Sequence, residues 1–303
     1  MSAKRLNITV MLGGPSAERE VSLRSGAAVA GALRRLGHSV HELDPASSWK
    51  LPPGTEVVFL ALHGSYGEDG TVQGELEELG VPYTGCGPEA SRVAFDKVLT
   101  KKRCLAAHVP TARYEVIASP RAKWPGGWRP PVVLKPVRQG SSVGLQMVDR
   151  VEQWEAALAE AFRFDTEVLM EERIDGRETT VGILADEALP VAEIRVKEGP
   201  FDFKNKYTAG AAEHFCPAAF DAAATARIQA AALGAFRAIG GRDYARVDVM
   251  VRRGGEPVVL EVNTLPGMTE LSLLPEAASV AGVKYPQLCQ RMIDLALEHP
   301  RKK

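Results

Sequence analysis

The sequence predicts a protein of mixed α/β and α+β class, in which an N-terminal parallel α/β unit is followed by antiparallel strands. Near the N-terminus, strand and helix patterns alternate and the strands end in glycine-rich turns, as in parallel sheets. In the middle, β-branched runs are joined by glycine and serine turns, which is typical of antiparallel pairs. Residues 246–263 form two β-branched runs around Gly254-Gly255, a strong hairpin signal.

The composition is that of an ordinary globular protein. The chain has 303 residues, of which 45% are hydrophobic and 25% charged, enough for two or three compact domains. A net charge of -1 gives no electrostatic case for binding nucleic acid or an anionic membrane. The apolar run over 8–12 is too short for a signal sequence or a membrane span. Four cysteines without CxxC spacing predict reduced thiols in a cytoplasmic protein: Cys86, Cys104, Cys216 and Cys289.

The N-terminal unit predicts candidate site residues at the ends of its strands. Three short apolar runs predict buried strands: 6–12, 39–43 and 57–62. A helix is predicted from Glu18 to about Arg35, with acidic residues at the positive end of its dipole. Ligands gather at the carboxyl ends of parallel strands, where Glu18 and His63 lie. Alternatively, Glu18 caps the helix and His63 is a satisfied core histidine.

The next segment contains a glycine motif that we do not interpret as a nucleotide site. Residues 85–90 match GxGxxA but follow a proline-containing segment rather than a buried strand, so the dinucleotide fingerprint lacks its context. No GxxxxGK[ST] motif occurs, which argues against a P-loop protein. A helix predicted from about Pro88 to Ala107 carries Lys97, and a lone lysine there is ordinarily solvated.

The middle of the chain predicts a phosphate-binding turn. A strand over 131–136 contains Lys135 and leads into a Gly-Ser-Ser loop over 137–144. In such a turn, backbone N–H groups and the hydroxyls of Ser141 and Ser142 can approach a phosphate, and a lysine adds a point charge.

Two further strands, 167–172 and 178–184, carry Glu171 and Glu178. The sequence predicts that both glutamates share one α+β module with Lys135, whose helix covers 151–162. The alternative is that they are edge-strand charges that oppose aggregation.

The segments on either side of the hairpin are predicted to be a long loop and several helices. Residues 198–215 have little pattern, and a loop of that length is usually functional, often a lid. An alanine-rich helix follows over 219–239, and short helices follow the tight turn at 264–269.

The hairpin predicts a polar face. With a two-residue loop at Gly254-Gly255, side chains alternate so that the following pairs face each other: Met250 with Val259, Asp248 with Glu261, and Arg246 with Asn263. The opposite face is predicted to be core: Val247, Val249, Val251, Val258, Leu260 and Val262.

Asp248 and Glu261 predict a metal site on that polar face. Directly opposed carboxylates lie roughly 5 Å apart and repel by about 3 kcal/mol at an effective dielectric of about 20. A cation between them would relieve the repulsion, and with Asn263 every donor is an oxygen, which fits Mg²⁺ rather than Zn²⁺. Because such Mg²⁺ usually also binds phosphates, the hairpin predicts a nucleotide-phosphate site. The alternative is a solvated, charged outer face.

Five blocks, in order along nearly the whole chain, make the sequence resemble the D-alanine–D-alanine ligases of the ATP-grasp superfamily. The blocks are 12–22 (LGGPSAEREVS), 61–64 with 67–70 (ALHG, GEDG), 135–136 with 140–144 (KP, GSSVG), 206–207 (KY), and 246–248 with 261–269 (RVD, EVNTLPGMT). The resemblance implies a three-domain ATP-grasp architecture, with ATP between the second and third domains. The domains are expected at 1–90, 91–184 and 185–303.

The resemblance also implies a role for each matching residue. Mg²⁺, or Mn²⁺ in its place, would be held by Asp248, Glu261 and Asn263. ATP phosphates would contact Lys97, Lys135, Ser142 and Lys206. Adenine and ribose would contact Glu171, the backbone near Glu172 and Ile174, and Glu178. The first D-alanine would be bound by Glu18, linked to Ser141 and Tyr207, with His63 nearby. The reacting carboxyl would face Arg246 and the Gly267 backbone, and Ser272 would bind the carboxylate of the second D-alanine.

The implied activity is ATP-dependent ligation of two D-alanines through an acyl phosphate, for peptidoglycan precursor synthesis. A cytoplasmic homodimer is expected, with K⁺ as a candidate further cofactor. The Lys206-Tyr207 pair favours an amine nucleophile. The alternatives are a ligase that uses D-lactate or D-serine as second substrate, and a non-catalytic nucleotide-binding regulator.

Overall fold

The structure is a computed structural model that describes residues 5–196 and 212–299. These residues form three sheets, in agreement with the predicted mixture of one parallel and several antiparallel units. The predicted site residues Lys206 and Tyr207 lie outside the described residues. Within the two described segments, no helix combines the length and apolar character needed to cross a membrane.

The first sheet is parallel, as predicted, with the strand order β2-β1-β3. Its elements are β1 (Asn7–Met11), α1 (Arg19–Arg35), β2 (Ser39–Leu43), β3 (Val57–Leu60) and α2 (Thr71–Glu78). Gly26 lets α1 lie close to the sheet, because a Cβ there would be 2.3 Å from Leu12 Cβ. The loops after β1 and β3 place Glu18 and His63 at the carboxyl edge of this sheet.

The predicted helix from Pro88 to Ala107 is wrong as a single element. It is divided into α3 (Pro88–Phe95) and α4 (Lys97–Ala106). Asp96 between them is extended, with φ −92° and ψ 105°, and its side chain accepts a hydrogen bond from Leu99 N at 2.9 Å. This N-cap starts a new helix and places Lys97 at its first position.

The second sheet is antiparallel, with the order β4-β7-β5-β6. Its strands are β4 (Tyr114–Ile117), β5 (Val132–Pro136), β6 (Gln146–Val148) and β7 (Val168–Glu172). The predicted helix over 151–162 is a 3-10 turn followed by α5 (Trp154–Ala161), which packs Trp154 and Leu158 on the sheet. The adjacent strands β5 and β7 carry Lys135 and Glu171.

The third sheet is also antiparallel, with the order β11-β10-β8-β12-β13, and β9 pairs with β8. Its strands are β8 (Gly176–Leu184), β9 (Glu187–Ala188), β10 (Ala192–Val196), β11 (Ala212–Phe215), β12 (Tyr244–Arg252) and β13 (Pro257–Asn263). The remaining helices of the described segments are α6 (Ala222–Ala238), α7 (Leu273–Val280) and α8 (Tyr285–Glu298).

Two predictions about this sheet are corrected. Glu178 does not share a sheet with Lys135 and Glu171, because β8 pairs with β12 along its whole length. The segment predicted as loop over 198–215 ends in a strand, β11. The domain boundaries themselves remain a prediction.

The hairpin keeps its key pairs although its loop differs from the prediction. The turn has three residues, since Arg252 N donates to Glu256 O at 3.0 Å, and Gly255 takes a left-handed φ of 86°, which favours glycine. A register shift after Asp248 leaves Leu260 as an extra residue. The longer turn and the extra residue in β13 shift the register by one residue in opposite directions. Asp248 therefore faces Glu261 and Arg246 faces Asn263, as predicted.

The same shift overturns part of the predicted core face. Met250 faces Val258 instead of Val259. Val259 packs in the core with Val247, whereas Val258 joins a separate apolar cluster with Ile174. Leu260 lines a cavity on the polar side. The bulge exchanges the faces of these residues because side chains alternate along a strand.

Candidate active site

Two cavities meet beside the hairpin. The larger, about 530 Å³, lies between the second and third sheets. The smaller, about 200 Å³, lies between the loops of the first sheet and the end of the hairpin. Lys97, Gln139 and Glu261 line both. A cavity of nucleotide size therefore opens into one of amino-acid size.

Every predicted site residue in the described segments lines one of these cavities. The larger is lined by Lys97, Lys135, Ser142, Glu171, Glu172, Ile174, Glu178, Asp248 and Glu261. The smaller is lined by Glu18, His63, Ser141, Arg246, Asn263, Gly267 and Ser272. They come from all three sheets and their connecting loops, which explains why their spacing in the sequence is so irregular.

Lys97 stands at the junction of the two cavities. Its Nζ donates to Gln139 O at 2.5 Å and lies 3.9 Å from Glu261 Oε2. Burial lowers the pKa of Lys97, and the Glu261 carboxylate opposes that effect. The prediction that a lone lysine here is solvated is therefore wrong, because the break at Asp96 turns this residue inward.

Lys135 and Glu171 form a buried ion pair on adjacent strands. Lys135 Nζ lies 2.6 Å from Glu171 Oε2, and the other carboxylate oxygen lies 2.5 Å from Lys101 Nζ. Burial alone would raise the pKa of Glu171, but the ammonium groups of Lys135 and Lys101 hold that pKa at about 2. The edge-strand alternative is excluded for Glu171, which is 2% exposed. Sequence reasoning missed Lys101, which lies one helical turn after Lys97.

The far wall of the larger cavity is apolar. Ile174 and Met250 line it and pack with Ala112 and Val258 behind them, and an apolar lining of this kind suits an aromatic base. The Glu172 carboxylate instead accepts hydrogen bonds from Arg252 at 2.7 Å and from Arg113 N at 3.1 Å.

Arg246 and Asp248 are bound to each other on β12. Arg246 donates to both carboxylate oxygens of Asp248, at 2.9 and 2.8 Å, and Thr180 Oγ1 contacts Asp248 Oδ1 at 2.7 Å. Burial would lower the pKa of Arg246, but Asp248, Glu261 and other carboxylates raise it above its usual value. The guanidinium is therefore a permanent positive charge at the edge of the smaller cavity.

The donor set fits a divalent cation. Asp248 and Glu261 oppose each other in the register, and Asn263 contributes an amide oxygen that already accepts from Leu265 N at 3.1 Å. Among residues 5–196 and 212–299, no three His, Cys, Asp or Glu side chains are grouped as a metal site. Two carboxylates and an amide are what a phosphate-bound Mg²⁺ needs from the protein, because phosphate and water complete its shell.

Glu18 is tied to the Gly-Ser-Ser loop across the smaller cavity. Ser141 Oγ hydrogen-bonds to Glu18 Oε1, and Ser141 and Ser142 take left-handed φ values of 51° and 58°. A Cβ on Gly140 would lie only 2.8 Å from Glu18 Oε2. The carboxylate is thus held by side-chain and close backbone contacts, and helix capping does not explain it, since it makes no cap hydrogen bond.

His63 lines the same cavity as Glu18 and is 6% exposed. Its Nε2 lies 3.3 Å from Ser25 Oγ, which accepts a hydrogen bond from Met268 N at 3.2 Å. His63 is therefore a hydrogen-bonded buried histidine that also lines the smaller cavity. Ser25, which sequence reasoning missed, links the first sheet to the loop after the hairpin.

Ser272 closes the far end of the smaller cavity as the N-cap residue of α7. Its Oγ accepts a hydrogen bond from Thr269 N at 3.1 Å and lies 2.8 Å from Thr269 Oγ1. A Cβ on Gly267 would be 3.1 Å from the same oxygen. The start of a helix favours anions, which suits a carboxylate at this position.

Glu68 is a further site residue that sequence reasoning passed over. It lines the smaller cavity, and its Oε2 accepts from Gly64 N at 2.8 Å. Burial and the nearby Glu18 carboxylate raise its pKa to about 8. The available signal was its place in Gly67-Glu68-Asp69-Gly70, a block that we used for the resemblance without giving Glu68 a role.

Comparisons with known proteins agree with this geometry. A family model described as "D-ala D-ala ligase C-terminus" matches residues 122–294, and one described as "D-ala D-ala ligase N-terminus" matches residues 40–86. A D-alanine–D-alanine ligase from Methylacidiphilum infernorum is 42% identical, covering 96% of this chain and 95% of the relative. One from Geobacter sulfurreducens is 45% identical, covering 96% and 94%.

Solved structures show the same relationship. The D-alanine–D-alanine ligase of Bacillus anthracis complexed with ATP superposes with a TM-score of 0.85 at 32% identity, covering 96% of this chain and 97% of that chain. The VanG D-Ala:D-Ser ligase of Enterococcus faecalis superposes with a TM-score of 0.84 at 30% identity, covering 97% and 100%.

Proposed function

The chain belongs to the D-alanine–D-alanine ligase family, with the ATP-grasp fold, and we propose that it joins two D-alanines at the expense of ATP. The product is D-alanyl-D-alanine, a precursor of peptidoglycan, and the reaction passes through an acyl phosphate. The single observation that carries the assignment of the site is the junction of the two cavities at Lys97 and Glu261. There a nucleotide phosphate and an amino-acid carboxylate can meet.

ATP occupies the larger cavity in this proposal. The base lies against Ile174 and the apolar cluster, with its amino group towards Glu171 and its ribose towards Glu178. The phosphates extend towards Lys97, Lys135 and the Ser142 loop, with Lys206 joining them. This orientation is supported by Lys97, which lines both cavities, whereas Ile174 lines only the larger one.

Mg²⁺ would be held by Asp248, Glu261 and Asn263. When bound, such an ion neutralises charge on the phosphates and helps to orient them for transfer. Mn²⁺ offers the same oxygen preference.

The two amino acids occupy the smaller cavity. Glu18, braced by Ser141, takes the ammonium of the first D-alanine near His63 and Tyr207. The carboxylate of the second D-alanine lies at Ser272, where the start of α7 favours negative charge. The amine of the second is thereby directed at the carboxyl of the first.

The chemistry follows from the poor reactivity of a carboxylate towards amines. The carboxylate of the first D-alanine attacks the γ-phosphate of ATP, which makes the acyl phosphate and releases ADP. The amine of the second D-alanine then attacks the acyl carbon, and inorganic phosphate leaves. Arg246 and the Gly267 N–H stabilise the oxyanion that develops on the carbonyl oxygen, a contribution that is usually large in a water-poor site.

Family membership also supports a cytoplasmic homodimer with D-alanine as its partner and with no role for nucleic acid. K⁺ is a further candidate cofactor on the same ground. The near-neutral balance of charge, a net -1, supports the absence of a nucleic-acid partner.

A substrate panel tests the proposal. Phosphate release from ATP and Mg²⁺ is measured with D-alanine, L-alanine, D-serine and D-lactate, alone and with D-alanine, and products are identified by mass. We expect D-alanine alone to drive phosphate release and to yield the dipeptide. Equal or greater use of D-serine or D-lactate beside D-alanine would overturn the assigned second substrate.

A further inference from the structure

Lys101 is a buried charge that none of the roles above uses. Its side chain is 1% exposed, and it does not line either of the two cavities. Burying an ammonium group is costly unless it is paired and hydrogen-bonded. A lysine buried in this position is therefore expected to have a specific role.

The contacts of Lys101 leave its ammonium group no capacity for a ligand. Nζ donates to Thr111 Oγ1 at 2.8 Å and to Ala112 O at 3.2 Å, and it lies 2.5 Å from Glu171 Oε1. It also lies 5.3 Å from the centroid of the Tyr114 ring, on the strand residue that faces Glu171 in the register. The ammonium group has three donors: two hydrogen bonds occupy it on one side and the Glu171 carboxylate is its ion-pair partner.

Glu171 depends on this contact. No hydrogen-bond donor other than the Lys101 ammonium approaches Glu171 Oε1 among the described residues, whereas Oε2 is paired with Lys135 at 2.6 Å. The carboxylate is 2% exposed and lines the larger cavity. Each of its oxygens is thus fixed by a different lysine, one from the helix and one from the neighbouring strand.

We propose that Lys101 is a positioning residue of the nucleotide site, which holds Glu171 as an ionised acceptor for the amino group of the base and spares the charge of Lys135 for the polyphosphate. Without Lys101, Lys135 alone would have to neutralise a buried carboxylate. With it, the group of two lysines and one glutamate keeps a net positive charge next to the phosphates. This inference rests on the proposed function, which assigns Glu171 to the base.

The pairing of Lys101 with Glu171 should also make the site selective for adenine over guanine. An ionised carboxylate only accepts hydrogen bonds, so it favours the amino group of adenine and opposes the carbonyl oxygen that guanine carries at the same position. A carboxylate freed to rotate or to take up a proton would lose part of this discrimination. Selectivity between ATP and GTP is therefore a readout that a purely structural lysine would not change.

The test compares Lys101→Met with Lys102→Met, which removes an equal charge from an exposed neighbour on the same helix. Binding of Mg-ATP and Mg-GTP is measured by calorimetry, and kcat and KM by phosphate release. For Lys101→Met we expect ATP binding to weaken at least about tenfold and the preference for ATP over GTP to fall. We expect kcat at saturating ATP to change little, and Lys102→Met to match the wild type.

Folded Lys101→Met protein with an unchanged KM for ATP and an unchanged ATP preference would overturn the inference. If that variant does not fold, the double variant Lys101→Met/Glu171→Gln decides, because it also removes the buried carboxylate that has lost one of its two ammonium partners. We expect it to fold and to lack the ATP preference. Failure of the double variant to fold, or wild-type selectivity in it, would contradict a role through Glu171. Wild-type protein that binds ATP but shows no D-alanine-dependent phosphate release would instead contradict the proposed function.

Discussion

The guanidinium of Arg246 binds both carboxylate oxygens of Asp248, with Nε 2.9 Å from Oδ1 and Nη2 2.8 Å from Oδ2. One of these residues is proposed to stabilise the reacting carboxyl and the other to hold the metal. The Asp248 carboxylate has a second hydrogen-bond donor, Thr180 Oγ1, at 2.7 Å from Oδ1, which can hold it when Arg246 is replaced. Substitution of Arg246 can therefore be used to separate the two roles.

Replacing Arg246 should separate nucleotide binding from turnover. For Arg246→Ala we expect Mg-ATP binding to persist and kcat to fall by about 10²–10³, the usual effect of losing one oxyanion donor. Calorimetry and phosphate release measure the two quantities. Arg253→Ala is the control, since Arg253 is exposed at the tip of the same hairpin. Normal phosphate release from Arg246→Ala would count against this role.

Neutralising either of the opposed carboxylates Asp248 and Glu261 should weaken the binding of Mg²⁺. For Glu261→Gln and Asp248→Asn we expect the Mg²⁺ concentration needed for half-maximal activity to rise at least about tenfold, because each change removes a charged oxygen ligand. Glu256→Gln, an exposed change on the same hairpin, should leave the Mg²⁺ titration unaltered. An unchanged Mg²⁺ requirement in both site variants would remove the proposed metal site.

A methyl group at Gly140 should weaken the binding of the first D-alanine. The added Cβ would lie 2.8 Å from Glu18 Oε2, so Gly140→Ala should displace that carboxylate and raise the KM for D-alanine more than the KM for ATP. Gly126→Ala is a matched control, because a Cβ there has no neighbour within 4 Å. Equal KM values for D-alanine in Gly140→Ala and the wild type would show that the contact does not position Glu18.

Glu68 should make stability depend on pH. Its pKa is raised to about 8 in the folded protein from an ordinary 4.5, so between these values the folded protein retains a proton that the unfolded chain releases. Stability should therefore fall as pH rises through this range. One pKa unit corresponds to about 1.4 kcal/mol, and the total loss is on the order of a few kcal/mol.

The melting temperature of ligand-free protein between pH 5 and pH 9 measures this effect. Relative to Glu68→Gln, the wild type should lose stability with increasing pH, whereas the exposed Glu78→Gln variant should follow the wild type. Parallel curves for the wild type and Glu68→Gln would contradict the raised pKa.

The sequence predicted the elements that form the site because their signals are local. Strand alternation and the Gly-Gly turn identified the hairpin, and its polar face with Asp248 opposite Glu261 is present. The loop length was wrong and so was the orientation of Leu260, since a bulge that restores register leaves no signal in the residue pattern. The prediction that β8 belongs with the strands of Lys135 and Glu171 was wrong, because strand pairing depends on non-local contacts.

Two site residues were not predicted from the sequence for a different reason. Lys101 and Glu68 are ordinary charged residues in the sequence, and only tertiary packing buries them. Lys101 pairs with Glu171 from a distant strand, and Glu68 lies near the Glu18 carboxylate from another loop. Burial of a charge is a property of the assembled fold, so composition and spacing could not distinguish these two from solvated neighbours such as Lys102.

The central claim is that ATP activates the carboxylate of the first D-alanine before the amine attacks. The most direct measurement uses D-alanine labelled with ¹⁸O in both carboxylate oxygens and determines the label in the released phosphate by mass spectrometry. An acyl phosphate requires that one labelled oxygen passes to phosphate for each dipeptide formed. Dipeptide formation with unlabelled phosphate would contradict the mechanism.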